Sequence, residues 1–153
     1  MNENIKIFSG SHELLDRISP LWEEIKKYHV EKSPHFSKDI NSKSFVSRKK
    51  ELISKAKYLQ VVIASNLKEE KDVGYCITTI DHENRGEIDS LFIKKQYRRQ
   101  GIGKKLTKMA LAWLNDKRVV DSSIIVAYGN EDVIDFYKSF GFYPRNIYLT
   151  FKL

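Results

Sequence analysis

The sequence predicts one mixed α/β domain, a central and mostly antiparallel sheet flanked by helices, and three observations predict it. An apolar run ending at Ile93 passes into a basic glycine turn and then into a stretch of helical periodicity, so strand, turn and helix follow one another. Two apolar runs, 58–65 and 73–80, flank the charged Lys68-Glu69-Glu70-Lys71 turn and read as an antiparallel pair. A further apolar run at 123–128 leads into a helical stretch over 131–140 that Gly141 closes.

The remaining elements follow in order. Residues 5–9 read as a short first strand. Leu14, Ile18, Leu21, Ile25 and Tyr28 recur at helical spacing, but Pro20 lacks the N–H that a helix interior needs. A kink or a fresh start is expected there, with Ser19 as the capping residue. Residues 33–42 form a polar loop around Pro34, and Phe45, Leu52, Ile53 and Ala56 mark a second, shorter helix. After the hairpin, Glu87-Ile88-Asp89-Ser90-Leu91-Phe92-Ile93 is a strand. Ile102, Leu106, Met109, Ala110 and Trp113 trace a helix from Gly103, Asn130 opens the last helix, and 148–153 is expected to close the chain as an edge strand. No repeat or low-complexity segment interrupts this order.

The segment from Lys94 to Leu106 carries the clearest chemistry. Gly101 and Gly103 let the backbone approach a ligand, and free N–H groups at the start of the following helix point the same way. Lys94, Lys95, Arg98, Arg99, Lys104, Lys105 and Lys108 crowd the turn, with no acidic residue between Lys94 and Lys108, so the ligand should be polyanionic. A P-loop is excluded, because Arg98 stands where its first glycine belongs and Lys105 follows Lys104 in place of a hydroxyl. A dinucleotide fingerprint is excluded too, because the third glycine position is Leu106 and no βαβ unit opens the chain.

What remains, Arg98-x-x-Gly101-x-Gly103, resembles the [QR]-x-x-G-x-[GA] acetyl-CoA motif of the GCN5-related N-acetyltransferase (GNAT) family. Asn130, Phe136, Tyr137, Gly141 and Phe142 resemble the family's N-x-x-A-x-x-[FL]-Y-x-x-x-G-F element, with Val133 in place of the usual alanine. The order of elements resembles the family's β-α-α-β-β-β-α-β-α-β fold over essentially the whole chain, which implies a sheet of roughly six to seven strands with about four helices. The resemblance implies acetyl-CoA as co-substrate with no metal. Its contacts would come from Leu91, Phe92 and Ile93, from the turn residues Arg98, Arg99, Gln100, Gly101, Ile102, Gly103 and Lys104, and from Asn130 and Tyr137.

Acetyl transfer from a thioester to an amine asks for a cofactor grip, an uncharged amine, a place for the carbonyl's developing charge, and a proton for the departing thiolate. The grip is the turn, with Arg99 and Lys104 as charge partners for phosphates. A lysine-like amine has a free pKa near 10.4, so a base or a water chain must take its proton. Glu87 and Asp89 are the candidates, and strand alternation puts them on one face with Leu91 and Ile93. Glu87, eleven residues before Arg98, matches the position of the glutamate base in the histone-modifying branch of the family. The resemblance implies a backbone N–H near Ile93 for the carbonyl oxygen, and Tyr137 as the general acid that returns a proton to a thiolate of conjugate pKa roughly 8.5. It also places Trp22, Tyr28, His29, His35 and Phe36, with Tyr143 and Tyr148, around the acceptor. Glu24, Glu31 and Asp39 nearby would suit a cationic amine, for which a polyamine, aminoglycoside, amino acid or protein N-terminus all fit.

Composition bounds these readings. The chain has 153 residues, 41% of them hydrophobic, and can bury roughly two-thirds of its unfolded surface, enough for one core, so 1–153 is expected to be a single domain. The net charge of +7 and sequence pI of 9.4 would suit nucleic acid or a membrane surface, but much of the excess lies in the one turn. A nucleic-acid module would also interleave aromatic residues with its lysines, and Tyr97 stands alone in the basic stretch. A catalytically silent acetyl-CoA sensor is the other alternative, against which the retention of Tyr137 argues. The single Cys76 excludes an intrachain disulfide and a cysteine metal cluster, and reads as a small buried hydrophobe. With no 18-residue apolar run and no apolar leader, the protein is expected to be soluble and cytoplasmic. Its expected partners are acetyl-CoA and an amine-bearing small molecule or peptide, with no nucleic acid, no membrane, and a homodimer possible.

Overall fold

A computed structural model describes residues 2–153. Five strands form one sheet in the order β1 (Ile5–Gly10), β2 (Tyr58–Asn66), β3 (Lys71–Ile80), β4 (Arg85–Ile93), β5 (Asp121–Ile124). The first four pair antiparallel in sequence order, and β5 runs parallel to β4. A parallel neighbour cannot be reached by a tight turn, and the crossover is the long helix α4 (Ile102–Asp116).

Side-chain alternation along β2 and β3 feeds two cores. On one face Val61, Ile63, Tyr75, Ile77 and Phe92 meet α1 (Ser19–Lys32) and α3 (Phe45–Lys55) through Leu21, Trp22, Phe45 and Leu52. On the other, Val62, Ala64, Val73 and Cys76 meet Ile102, Leu106 and Ala110 of α4. Covered on both sides, β2 and β3 read as nearly continuous apolar runs, and each fully buried aliphatic side chain contributes about 1.5–3 kcal/mol.

Several elements differ from the sequence expectation. Leu14 and Ile18 lie in two 3₁₀ turns, His12–Leu14 and Asp16–Ile18, and the helix starts afresh at Ser19 with Pro20 in its first turn. Ser19 is therefore inside the helix, and its side chain caps nothing. The polar loop holds a short helix, α2 (Ser37–Ser42), and α3 is capped by Ser44, whose side chain accepts from the Ser47 N–H at 3.1 Å. The strand expected at 123–128 pairs only over Asp121–Ile124. The helix expected at 131–140 is a 3₁₀ turn, Glu131–Val133, followed by α5 (Ile134–Lys138). Its closure at Gly141 is as expected: φ is +94°, Gly141 N–H donates to Lys138 O at 3.0 Å and Phe142 N–H to Tyr137 O at 3.2 Å, the paired bonds of a glycine C-cap. Residues 148–153 join no strand, and Ile147, Tyr148, Leu149 and Phe151 are exposed. The sheet thus has five strands where six to seven were expected. Apolar alternation makes a strand only against a paired edge, and the short β5 pairs over four residues. Among the described residues no helix is long and apolar enough to cross a membrane.

Candidate active site

The sheet opens where β5 ends. Arg85 to Ile88 of β4 pair with Asp121 to Ile124, and beyond them the outer edge of β4, 89–93, has no strand partner. On the inner edge the register against β3 shifts: Ser90 stands opposite Ile77 and Ile88 opposite Thr78, which leaves Asp89 as the extra residue of a bulge. The bulge resets alternation. Glu87 and Asp89 both reach Lys55 at the end of α3, whereas Leu91 and Ile93 pack with the α4 cluster. The single face expected for these four residues is therefore two faces, divided at the opening.

The basic turn lies at the C-terminal end of that free edge. Lys94 N–H donates to Val73 O at 2.8 Å, a 3₁₀ turn spans Lys95–Tyr97, and Gly101, at φ +84°, is the residue before α4. The first bond of the helix runs from Lys105 N–H to Gly101 O at 3.0 Å, so the N–H groups of Ile102, Gly103 and Lys104 have no acceptor within α4. A Cβ at Gly103 would come no closer than 3.7 Å to Phe136 and 3.8 Å to Ile93, and one at Gly101 would meet nothing within 4 Å. Protein packing does not require glycine at 103. What its bareness provides is room over three free donors at a helix N-terminus, which fits a diphosphate.

The turn's cations divide by role. Arg98 donates from Nε to Ile93 O at 2.8 Å and lies over the Phe92 ring, so it pins the strand end. Lys94 pairs with Glu24 of α1 at 3.4 Å. Lys95, Arg99, Lys104, Lys105 and Lys108 have no carboxylate partner among the described residues and are available to an anion. Tyr97 is buried; its hydroxyl donates to Glu69 at 2.6 Å and accepts from Asn66 Nδ2 at 3.2 Å, which ties the turn to the β2–β3 hairpin. Gln100 reaches only Gln96 O, at 3.4 Å.

Opposite the turn, the β5–α5 connection and α5 flank the opening. Gly129, at φ +98°, lies so close to the Lys32 carbonyl of α1 that any Cβ would collide with it. Asn130 stands before the 3₁₀ turn without a side-chain capping bond. Phe136 lies beside Gly103 and Ile93, and its ring meets Tyr137 and Phe140 edge-on at 5.2 Å each. Burial, reinforced by the Cys76 thiol, pushes the Tyr137 phenol well above its ordinary pKa, so it stays protonated at neutral pH and keeps an O–H to donate. Burial pushes Cys76 itself up to about 12, the state of an inert core thiol.

The carboxylates form a partly buried cluster. Lys55 Nζ binds Asp89 Oδ1 and lies 3.2 Å from Glu87 Oε2, and Thr79 Oγ1 donates to Asp89 Oδ2 at 2.6 Å. Burial first, and then the neighbouring Asp89, raise Glu87 above the usual carboxylate range, while Lys55 pulls it back. Burial opposes the Lys55 charge, but its two carboxylates outweigh that and hold the ammonium above its ordinary range. Lys55 was missed in the sequence because a lysine ending an exposed helix reads as a cation complementing the dipole, with no mark of a partner 34 residues on.

The acceptor residues are brought together only in part. Tyr28 and His29 are half-buried neighbours on the last turns of α1, which the Gly129 turn touches at Lys32, and burial keeps His29 below its ordinary pKa. Trp22 is a correction: it is buried against Phe45 at 5.5 Å, with the Lys26 ammonium over its ring, and belongs to the core. Its side of α1 is the face that the helix must bury. Phe36 is half-buried just before α2, and His35, Tyr143 and Tyr148 are exposed.

An opened strand edge running into a glycine turn at a helix N-terminus defines the class. The sequence profile of the Acetyltransferase (GNAT) family matches residues 19–142, and the chain belongs to that family. Among solved structures, a candidate acetyl transferase from Pyrococcus furiosus is 19% identical with a TM-score of 0.75, covering 97% of this chain and 99% of that one. An aminoglycoside acetyltransferase from an uncultured soil metagenomic sample, in complex with sisomicin, is 18% identical with a TM-score of 0.69, over 98% of this chain and 97% of its own. The ribosomal-protein-alanine N-acetyltransferase from Brucella melitensis is 14% identical with a TM-score of 0.67, over 97% of this chain and 99% of its own. At these identities the likeness is one of fold. No curated protein matches the chain significantly.

Proposed function

We propose that the protein is an N-acetyltransferase that passes the acetyl group of acetyl-CoA directly to a primary amine of a small molecule or peptide while both substrates are bound. The observation that carries this reading is the run of free N–H groups at the start of α4, beside unpaired cations and continuous with the open edge of β4. When bound, acetyl-CoA supplies an acyl group activated as a thioester. The turn from Arg98 to Lys104 holds the diphosphate through backbone N–H groups, with Arg99 and Lys104 as charge partners. The outer edge of β4, with its free main-chain groups, lines the acyl arm and offers an N–H near Leu91 to Ile93 for the carbonyl oxygen.

Glu87 lies where β5 leaves β4, on the α3 side, and takes the proton of the incoming ammonium directly or through water. Its raised pKa brings it nearer to neutrality, which suits a base that must both accept and release a proton. Tyr137, protonated in its buried setting, donates to the departing sulfur. The acceptor enters between the last turns of α1, with Tyr28 and His29, and the turn at Gly129. Solved proteins of similar fold include enzymes named for aminoglycosides and for a ribosomal-protein alanine, which makes both amine classes worth testing here.

The test is thiol release from acetyl-CoA with a polyamine, an aminoglycoside, free amino acids and a peptide N-terminus. Release with one class is the expected result. Tight acetyl-CoA binding with no release for any class would replace the enzyme with a silent sensor.

A further inference from the structure

We propose that Lys55 is a positioning residue for the transfer reaction: clamped by the buried Asp89, its ammonium holds the Glu87 carboxylate in place at the foot of the opening between β4 and β5, and Asp89 anchors that clamp. The proposal rests on the reading of Glu87 as the base.

The two carboxylates are not equivalent. The Asp89 side chain has no exposed surface, and both its oxygens are taken, one by Lys55 and one by Thr79 at 2.6 Å. With no exposed surface, such a group cannot touch substrate or solvent directly. Glu87 keeps 24% of its side chain exposed and touches Lys55 through one oxygen, at 3.2 Å, with the Asp89 carboxyl beside it. The bulge creates the difference, because it inserts Asp89 as an extra residue beside Thr79 while Glu87 stays in the regular ladder opposite Ser123. Lys55, the last residue of α3, then bridges helix to sheet at that point.

The charges around Glu87 are few. Lys55 comes from α3 and Asp89 from its own strand; Asp81, beyond β3, senses Lys55; Thr79 and Ser123 bring only hydroxyls, and Cys76 stays a neutral thiol. One ammonium against two close carboxylates leaves the cluster one negative charge in excess, and Glu87, the carboxylate with exposed surface, is the one a proton from substrate or solvent can reach. Burial and Asp89 both favour the protonated form of Glu87, and Lys55 is the opposing charge.

The experiment is a ¹³C NMR titration of glutamate side-chain carboxyls in the free protein, with Glu87 assigned by its loss in Glu87→Gln. Lys55→Met should raise the Glu87 midpoint by on the order of one pH unit, and Lys55→Arg should stay near the parent. Because Lys55→Met strands a buried carboxylate, Lys55→Gln, which keeps a donor for Asp89 but carries no charge, is titrated beside it. An unchanged Glu87 midpoint in Lys55→Gln overturns the clamp. The pH profile of kcat/KM, with spermidine and sisomicin as probe amines, separates this from the parent reading. If Glu87→Gln leaves the acidic limb in place, Glu87 is not the base, and the positioning role falls with it. If Glu87→Gln abolishes the limb but Lys55→Met fails to move it to higher pH, the clamp alone is wrong.

Discussion

The two ends of β4 solve opposite electrostatic problems. At its C-terminal end, cations gather in the open, several without a partner, around bare backbone donors. Near its start, carboxylates are drawn inside and matched to a lysine from another element. Exposed charges without partners are cheap in water and gain most when a polyanion arrives. Buried carboxylates are costly and persist only when paired, which tunes them in the process. One strand thus carries the proposed ligand grip at one end and the proposed proton acceptor at the other, with the break in β5 pairing between them.

The largest effect that could break this contrast is at the open end. Gly103→Glu places a carboxylate over the free N–H groups, and acetyl-CoA affinity by titration calorimetry should fall at least about 100-fold. The melting temperature should hardly move, since the nearest side chains packed against the new Cβ, Phe136 and Ile93, lie 3.7 and 3.8 Å away. Unchanged affinity would remove the diphosphate from this turn. Binding by the parent should also weaken as salt is added, because the partners there are exposed.

Next in size is Tyr137→Phe, which keeps the ring contacts with Phe136 and Phe142 and removes the hydroxyl. Turnover should fall roughly 10²-fold with cofactor affinity little altered. If chemistry is rate-limiting and the variant matches the parent, Tyr137 is a packing residue. A smaller effect tests how the open end is anchored. Tyr97→Phe removes the hydroxyl that joins Asn66 and Glu69, which should cost about 1–2 kcal/mol of stability by chemical denaturation. A loss without any fall in acetyl-CoA affinity would show that the turn keeps its shape without its tether.

The same contrast explains what the sequence reveals. The proposed grip is local: Arg98, Gly101 and Gly103 lie within six residues between a strand and a helix, and the free donors follow from any helix that starts there, so spacing and its immediate context suggest it. The β2–β3 hairpin and α4 are legible for the same reason, their periodicities being long and their turn short. The proposed proton acceptor depends on Lys55 and Thr79, remote in sequence, and on a bulge at Asp89 that no alternation pattern announces. That bulge is why Leu91 and Ile93 part company with Glu87. Trp22 misleads because an aromatic on an amphipathic helix serves a core as readily as a pocket, and Phe45 claims it. The tail at 148–153 has the residues of a strand, yet a strand is a property of pairs, and no pairing of the tail could be read from its own composition.

The smallest expected effect bears on the buried end and concerns stability. Glu87 has a folded-state pKa raised by burial and by Asp89. Its neutral form is therefore the one that folding favours: the stabilising contribution is full below the ordinary glutamate pKa and is lost as pH rises through the raised value. At neutral pH the ionised side chain then costs stability, even with Lys55 beside it. Glu87→Gln, which mimics the neutral form, should melt slightly higher than the parent at pH 7, and the gain should vanish when both are melted below pH 4. A residue kept at a cost to the fold is what a proton acceptor in a half-buried site would look like. If Glu87→Gln instead melts lower at pH 7, the ion pair with Lys55 outweighs the burial of Glu87, and the carboxylate belongs to the scaffold with Asp89.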